Sequence, residues 1–202
     1  MLKIMETYKI ILLDTCGNTT KLLQKFCSEI EFNPDIDNNC DKKIIVENKP
    51  CILKLFDINR IAGGTNEEHQ DYRDNWLNKA DGFLVIYSIT SRASFEDIRY
   101  YNEIINLRKE YEEIENIPLI IVGNNCSEII DREVSYEEGY LLAKEMKCKF
   151  IEVDTKTNKN IELPFQDIVK IKRNKIMKIN QTKPNEKTYK NFIKFVKCVF
   201  CN

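Results

Sequence analysis

Polar residues that could do chemistry lie just after four apolar runs of this sequence. The runs end at Leu13, Phe56, Val122 and Val153, and the polar residues that follow include Asp14, Asp57, Asn124 and Lys156. An aspartate can ligate Mg²⁺, and a helix that begins after a strand can attract an anion with its N-terminus. These residues predict a ligand site if the fold brings the four run ends together.

The apolar runs predict six strands, at residues 8–13, 42–46, 51–56, 82–89, 119–122 and 149–153. Helical patterns occupy residues 20–28, 67–79, 95–113, 136–147 and 163–175. Ser135 followed by Glu138 predicts a capping box at the start of the fourth helix. Alternating strands and helices predict an α/β fold with a mostly parallel sheet, in which ligands bind outside the carboxyl ends of the strands.

Composition predicts one domain with a basic tail. The chain has 202 residues, 43% of them apolar, and its N-terminus lacks the apolar stretch of a secretory signal. No run of about 18 apolar residues occurs, so a membrane-spanning helix is not expected. The net charge is −1, yet residues 169–202 contain ten Lys or Arg and one acid. We therefore expect a domain at residues 1–175 and a basic tail at residues 176–202.

The eight cysteines do not predict a metal site. Only Cys198 and Cys201 form a C-x-x-C pair, and His69 is the one histidine. A structural zinc site needs about four ligands. We expect buried free thiols in a reducing cytoplasm.

Several stretches resemble the Ras branch of the small GTPases, and together they cover residues 8 to about 175. The most specific is ADGFLVIYSIT at residues 80–90, followed by SFEDI at residues 94–98. IPLIIVGN at residues 117–124 is similar to the family's guanine-motif strand, and FIEV at residues 150–153 to the strand before its S-A-K motif. CILKLFD at residues 51–57 resembles the strand that ends in its D-x-x-G motif. The resemblance implies a small-GTPase fold of the P-loop NTPase type, with a six-stranded, mostly parallel sheet flanked by helices.

The resemblance also implies a site for GTP or GDP with Mg²⁺. The candidate nucleotide contacts are Gly17, Lys21, Asn124 and Lys156, and Asp57 matches the family's acidic residue near Mg²⁺. The position of the water-orienting glutamine holds Ile61 or Gly64, depending on the register. Neither side chain can position a water molecule. We therefore predict no catalytic residue.

The phosphate-binding loop departs most from the family. A P-loop needs G-x-x-x-x-G-K-[ST], because glycines turn backbone N–H groups toward the phosphates, the lysine neutralises charge and the hydroxyl holds Mg²⁺. Here Asp14 and Thr19 replace the two glycines, Thr20 stands at the lysine position and Lys21 at the hydroxyl position. A residue shifted by one on a helix points about 100° away, so Lys21 is a poor substitute. Asp14 adds a carboxylate where a triphosphate would sit.

The remaining motifs are also altered. Asp35 stands where the family has a Mg²⁺-binding threonine, and Asn125 and Ser127 replace the lysine and aspartate of the guanine motif. Asp154 and Thr155 replace the Ser and Ala of S-A-K. Loss of the charged contact to guanine removes an interaction of about 1.5–3 kcal/mol. Such losses at every motif predict weak nucleotide binding or no cofactor at all.

The tail suggests a second contact. The chain ends in VFCN, so a C-a-a-X prenylation signal is absent. Basic residues near an anionic leaflet contribute about 1 kcal/mol each, and palmitoyl groups on Cys198 or Cys201 could add insertion. We weigh peripheral association with the inner membrane surface equally against a solvated tail on a cytoplasmic protein. Nucleic-acid binding is not expected, because the acidic body would repel phosphate.

Three functions remain open from the sequence. The favoured one is a pseudoGTPase that acts in signalling as a protein-interaction module, with a partner face from Phe32 to Asp41 and from Glu67 to Lys79. The second is a divergent switch that binds GTP and hydrolyses it slowly.

The third is a receiver domain phosphorylated on Asp57. Asp14, Asp57, Ser88 and Lys109 have roughly the spacing of such a site. Lys109, however, lies in a charged helical run rather than at a strand end, which disfavours this hypothesis.

Overall fold

The computed structural model describes residues 5–14, 18–27, 39–57, 79–111, 117–125 and 131–182. Its strands are β1 Glu6–Leu13, β2 Asn39–Val46, β3 Lys49–Asp57, β4 Gly82–Ser88, β5 Leu119–Asn125 and β6 Lys149–Asp154. Its helices, numbered within the described ranges, are α1 Asn18–Phe26, α2 Arg92–Glu96, α3 Ile98–Tyr111, α4 Tyr136–Glu145 and α5 Leu163–Thr182.

The strands form one six-stranded sheet in the order β2-β3-β1-β4-β5-β6. Only β2 runs antiparallel to its neighbour, and a two-residue turn at Glu47 and Asn48, both with positive φ, joins it to β3. The predicted six-stranded, mostly parallel sheet is confirmed. The receiver hypothesis is wrong: such domains have a parallel sheet in the order 2-1-3-4-5, and Lys109 lies within α3 rather than at a strand end.

Apolar side chains cover both faces of the sheet. One cluster joins the sheet to α1 and α5 and includes Leu22, Phe26 and Phe165. The rings of Phe26 and Phe165 stack with their centroids 3.8 Å apart. The other joins the sheet to α3 and α4 through residues such as Ile105 and Leu142. Every residue of β4 is buried, as expected for a central strand of a parallel sheet covered on both faces.

Helix boundaries differ from the predictions by more than two residues at two places. The predicted helix at 95–113 is two helices, because Asp97 ends α2 as its C-cap residue before α3 begins. The final helix continues to Thr182, past the predicted end at residue 175. The capping box is confirmed, since Ser135 accepts the N–H of Glu138 and Glu138 accepts the N–H of Ser135. The predicted helix at 67–79 lies almost wholly outside the described residues.

The cysteine prediction needs a correction. The structure joins Cys27, directly after α1, to Cys40 of β2 as a disulfide. Cys51 and Cys148 keep their thiols. The expectation of free thiols, which was based on a reducing cytoplasm and on the scatter of cysteines along the sequence, was wrong for this pair. Packing α1 beside β2 brings two distant cysteines together.

The chain divides by compactness into two units, Met1–Lys172 and Arg173–Asn202. The first contains the whole sheet and helices α1 to α4, and the second contains the end of α5. The domain boundary proposed near residue 175 stays a prediction.

Candidate functional site

The strand ends bring the candidate residues to one edge of the sheet. Leu12 of β1 lies opposite Asp57 of β3, Ser88 of β4 lies opposite Asn124 of β5, and Asn125 lies opposite Asp154 of β6. Because these strands are parallel, their carboxyl ends share this edge. Among the buried polar residues there are Asp14, Asp57 and Asn124, with exposed fractions of 1%, 3% and 0%.

Asp14 is bonded to the start of helix α1. Its Oδ2 accepts the backbone N–H of Thr19 at 2.9 Å and the Thr19 hydroxyl at 3.1 Å. Thr19 is the second residue of α1, where backbone N–H groups have no partner within the helix. The carboxylate therefore occupies one of the donors and lies at the positive end of the helix, where a phosphate would otherwise bind.

The other phosphate-loop candidates are Lys21 and Gly17. Lys21 lies in α1 with an exposed side chain. Gly17 lies outside the described residues. Sequence reasoning identified Asp14 as a repulsive charge but missed its bond to Thr19, which sits five residues later, at a spacing that fits a strand-end carboxylate reaching the next helix.

The edge beside Asp14 and Asp57 is acidic. Burial raises the pKa of the Tyr101 hydroxyl on α3 above its ordinary value, and the negative charges of Asp14, Asp97 and Asp57 raise it further. Tyr101 therefore stays neutral at physiological pH. No group of three His, Cys, Asp or Glu side chains suited to a metal ion occurs within the described ranges. Asp57, the metal ligand predicted from the sequence, is buried at this edge, and its role stays a prediction.

Hydrogen bonds join the carboxyl ends of β5 and β6, which carry the guanine motif and the S-A-K position. The Asn125 side-chain amide donates to Asp154 Oδ2 at 3.0 Å, while the Asn125 carbonyl accepts both the backbone N–H and the hydroxyl of Thr155, at 3.1 and 3.2 Å. Asp154 Oδ1 accepts the backbone N–H groups of Lys156 and Thr157. The Lys156 side chain is exposed.

The charge of Asp154 is stabilised by these contacts. Burial alone would raise the pKa of Asp154, but hydrogen bonds from Thr157, Lys156 and Asn125 outweigh burial and hold that pKa below its usual value. Sequence reasoning recorded Asn125 and Asp154 as two separate losses. It missed that an amide and a carboxylate at matching strand ends can bond to each other.

A cavity of 460 Å³ lies along β6. Asn125 and Asp154 form part of its wall, together with Tyr136, Phe150 and Leu163, whereas Asp14, Asp57 and Asn124 do not line it. The cavity is therefore separate from the phosphate end of the candidate site.

Most of the predicted partner surfaces lie outside the described residues. Of the stretch from Phe32 to Asp41, only residues 39–41 are described, and Asp41 forms an exposed ion pair with Lys54 at 2.9 Å. Of the stretch from Glu67 to Lys79, only Lys79 is described, and it is exposed. Cys198 and Cys201 also lie outside. Among the helices that the structure describes, none has both the length and the apolar character to cross a membrane.

Known proteins are similar to this chain over most of its length. The Ras family profile matches residues 8–174. Protein ras-2 of Neurospora crassa is 32% identical over 183 residues, covering 81% of this chain and 78% of that protein. Ras-like protein 1 of Pyricularia oryzae is 30% identical over 188 residues, covering 84% and 76%. A Ras-like protein of Laccaria bicolor is 33% identical over 175 residues, covering 83% and 78%. The resemblance carried by the strand motifs is confirmed, and this chain belongs to the Ras family of small GTPases.

Proposed function

We propose that this protein is a pseudoGTPase, a Ras-like signalling and protein-interaction module that binds GTP weakly or not at all. The observation that carries the proposal is the buried Asp14 carboxylate bonded to Thr19 at the start of α1. The family's ligand is GTP or GDP with Mg²⁺, and its phosphates need the donors that Asp14 already uses.

The electrostatics disfavour a triphosphate at this position. A phosphate that took the Thr19 N–H would displace a charge-assisted hydrogen bond of about 1.5–3 kcal/mol. The displaced Asp14 carboxylate, only 1% exposed, would remain close to the phosphate. The buried Asp57 carboxylate lies at the same edge of the sheet, and the Lys21 side chain on α1 is exposed. These residues do not fit a triphosphate.

The guanine side supports the same proposal. Asn125, Asp154 and Thr155 bond to one another across β5 and β6. Partners within the chain therefore bond to the first residues of the loop after β6. Asn124 and Lys156 are retained as candidate base contacts, and their roles are part of this proposal.

One observation favours a second function. Asn124 and Asp57 keep the family's residue types at the ends of β5 and β3. A divergent switch could use them to bind GTP with Mg²⁺ and hydrolyse it slowly, since the residues that replace the glutamine, Ile61 or Gly64, cannot orient water.

The proposed partners follow from the family. An effector or regulator would bind the face from Phe32 to Asp41 and from Glu67 to Lys79. The basic tail at residues 176–202, with Cys198 and Cys201 as acylation sites, would contact an anionic membrane from the cytoplasm. Nucleic acid is not a proposed partner.

Calorimetry of the purified full chain tests the proposal. GTP, GDP and ATP are titrated with and without Mg²⁺, and the nucleotide content of the protein as isolated is measured by chromatography after denaturation. We expect no bound nucleotide and no dissociation constant below the micromolar range. Submicromolar, Mg²⁺-dependent guanine binding would overturn the pseudoGTPase and establish the switch.

A further inference from the structure

We propose that Cys27 and Cys40 form a redox-modification site that alternates between two thiols and a disulfide. The disulfide links β2 to the end of α1, and the two thiols leave them unlinked. The two cysteines are 13 residues apart in sequence, and the structure bonds their sulfur atoms. The functional consequence rests on the proposed function, because the two residues flank most of the proposed partner face from Phe32 to Asp41.

The location of the pair makes the bond selective. Cys27 directly follows α1 and is 1% exposed, and Cys40 is the second residue of the edge strand β2 and is 4% exposed. Cys51 belongs to the same apolar cluster and is 0% exposed, yet it keeps its thiol. Burial alone therefore does not account for the bond between Cys27 and Cys40.

Noncovalent contacts join the same two elements and would persist after reduction. The Lys42 ammonium of β2 donates to the Phe26 carbonyl of α1 and lies 4.3 Å from the centroid of the Phe26 ring. Phe26 in turn stacks on Phe165 of α5. Because these contacts anchor the end of α1 without the disulfide, the bond can open and close while the domain stays folded. Disulfides in cytoplasmic proteins are mostly of this transient, redox-sensing kind.

The chemistry needs a hydroperoxide as oxidant and a dithiol as reductant. One cysteine thiolate attacks the O–O bond of hydrogen peroxide, forming a sulfenic acid and releasing hydroxide, which is protonated to water. The second thiol attacks the sulfenic sulfur, the S–S bond forms and a second water leaves. The two cysteines lose two electrons and two protons, and the peroxide is reduced to two waters. A dithiol reverses the reaction and is itself oxidised to a disulfide.

The test uses the folded full chain, treated with hydrogen peroxide and then with dithiothreitol. Remaining thiols are alkylated, and a peptide map without reduction quantifies the link between Cys27 and Cys40. We expect the link to form with peroxide and to disappear with dithiothreitol. Closure of a loop of this length should raise the melting temperature of the oxidised protein by roughly 6–12 °C over the reduced protein. Hydrogen exchange in β2 should slow in parallel.

Variants separate this link from other cysteine chemistry. Cys40→Ala should abolish the difference in melting temperature between the two treatments, and the matched control Cys148→Ala should keep it. If Cys40→Ala does not fold, the peptide map and the melting temperatures of the oxidised and reduced wild type still test the proposal. A folded protein that never forms the link, or a link that dithiothreitol cannot open without unfolding, overturns the proposal. None of these readouts involves nucleotide, so a failed redox test leaves the calorimetric test of the pseudoGTPase intact, and the reverse also holds.

Discussion

Replacement of Asp14 by asparagine isolates the charge that we hold responsible for excluding phosphate. The asparagine side chain would keep an oxygen that can accept the N–H of Thr19, now bonded to Asp14 at 2.9 Å, but it carries no charge. Exchange of a charged for a neutral hydrogen bond costs about 1 kcal/mol, which lowers the melting temperature by roughly 2–4 °C. The variant should therefore fold, and its ligand binding can be compared directly with that of the wild type.

The expected gain in phosphate affinity follows from Coulomb's law. A phosphate oxygen that takes the Thr19 N–H would lie roughly 5 Å from the carboxylate charge, because both compete for one donor. At an effective dielectric constant of about 20, two like charges at that distance repel by about 3 kcal/mol. Removal of the Asp14 charge should then lower the dissociation constant for GDP or pyrophosphate roughly 100-fold.

The assay is calorimetry or competition binding of GDP and pyrophosphate to wild type, Asp14→Asn and the control Asp131→Asn. Asp131 is exposed, so its replacement changes the net charge equally without touching α1. We expect a large gain for Asp14→Asn and none for the control. Equal dissociation constants for wild type and Asp14→Asn would show that the carboxylate does not exclude phosphate, and would refute the electrostatic basis of the proposed function.

Three further predictions concern stability and titration. A double-mutant cycle of Asn125→Ala and Asp154→Ala should give a coupling energy of about 1 kcal/mol by denaturant unfolding; additive effects would mean that the side-chain bond contributes nothing. Tyr87→Phe removes a buried hydroxyl that has no hydrogen-bond partner among the described residues, so the melting temperature should rise by roughly 2–4 °C, whereas the exposed control Tyr140→Phe should leave it unchanged. The Arg92 side chain, followed by the capping-box bonds, lowers the pKa of Glu138 to about 2. Because this folded-state value lies below the unfolded one, the stabilisation by Glu138 is present above about pH 4.5 and is lost as the pH falls toward 2. An NMR titration of the Glu138 carboxyl with a midpoint near 4.5 would contradict this.

The fold could be predicted from the sequence because its signals are local. Apolar runs such as those of β4 and β5 are too continuous for a surface helix, and their order leaves few topologies for a parallel sheet. The division between α2 and α3 was missed because Asp97 interrupts a pattern whose apolar spacing continues across it. The end of α5 was missed because a polar, Lys-rich helix has the composition of a linker.

The site could be predicted only as a set of positions. Strand ends indicate where Asp14, Asp57 and Asn124 gather, but hydrogen-bond partners depend on side-chain directions that sequence spacing does not specify. The bond from Asn125 to Asp154 connects residues 29 positions apart. The bond from Cys27 to Cys40 connects residues 13 positions apart that belong to different parts of the fold. Both depend on strand register and helix placement, which are properties of the folded chain.

If the protein is the pseudoGTPase that we propose, its domain must remain folded without the family's ligand. A bound nucleotide stabilises a folded protein by mass action, and its loss would also leave the N–H groups of α1 and the loop after β6 without their ligand partners. In this chain the substituted residues supply partners themselves, Asp14 to Thr19 of α1 and Asn125 to Asp154. Random loss of binding residues would remove interactions without replacing them. Internal bonds at both ends of the family's ligand position are instead what the proposed pseudoGTPase needs if it is to present a folded surface to partners with no nucleotide bound.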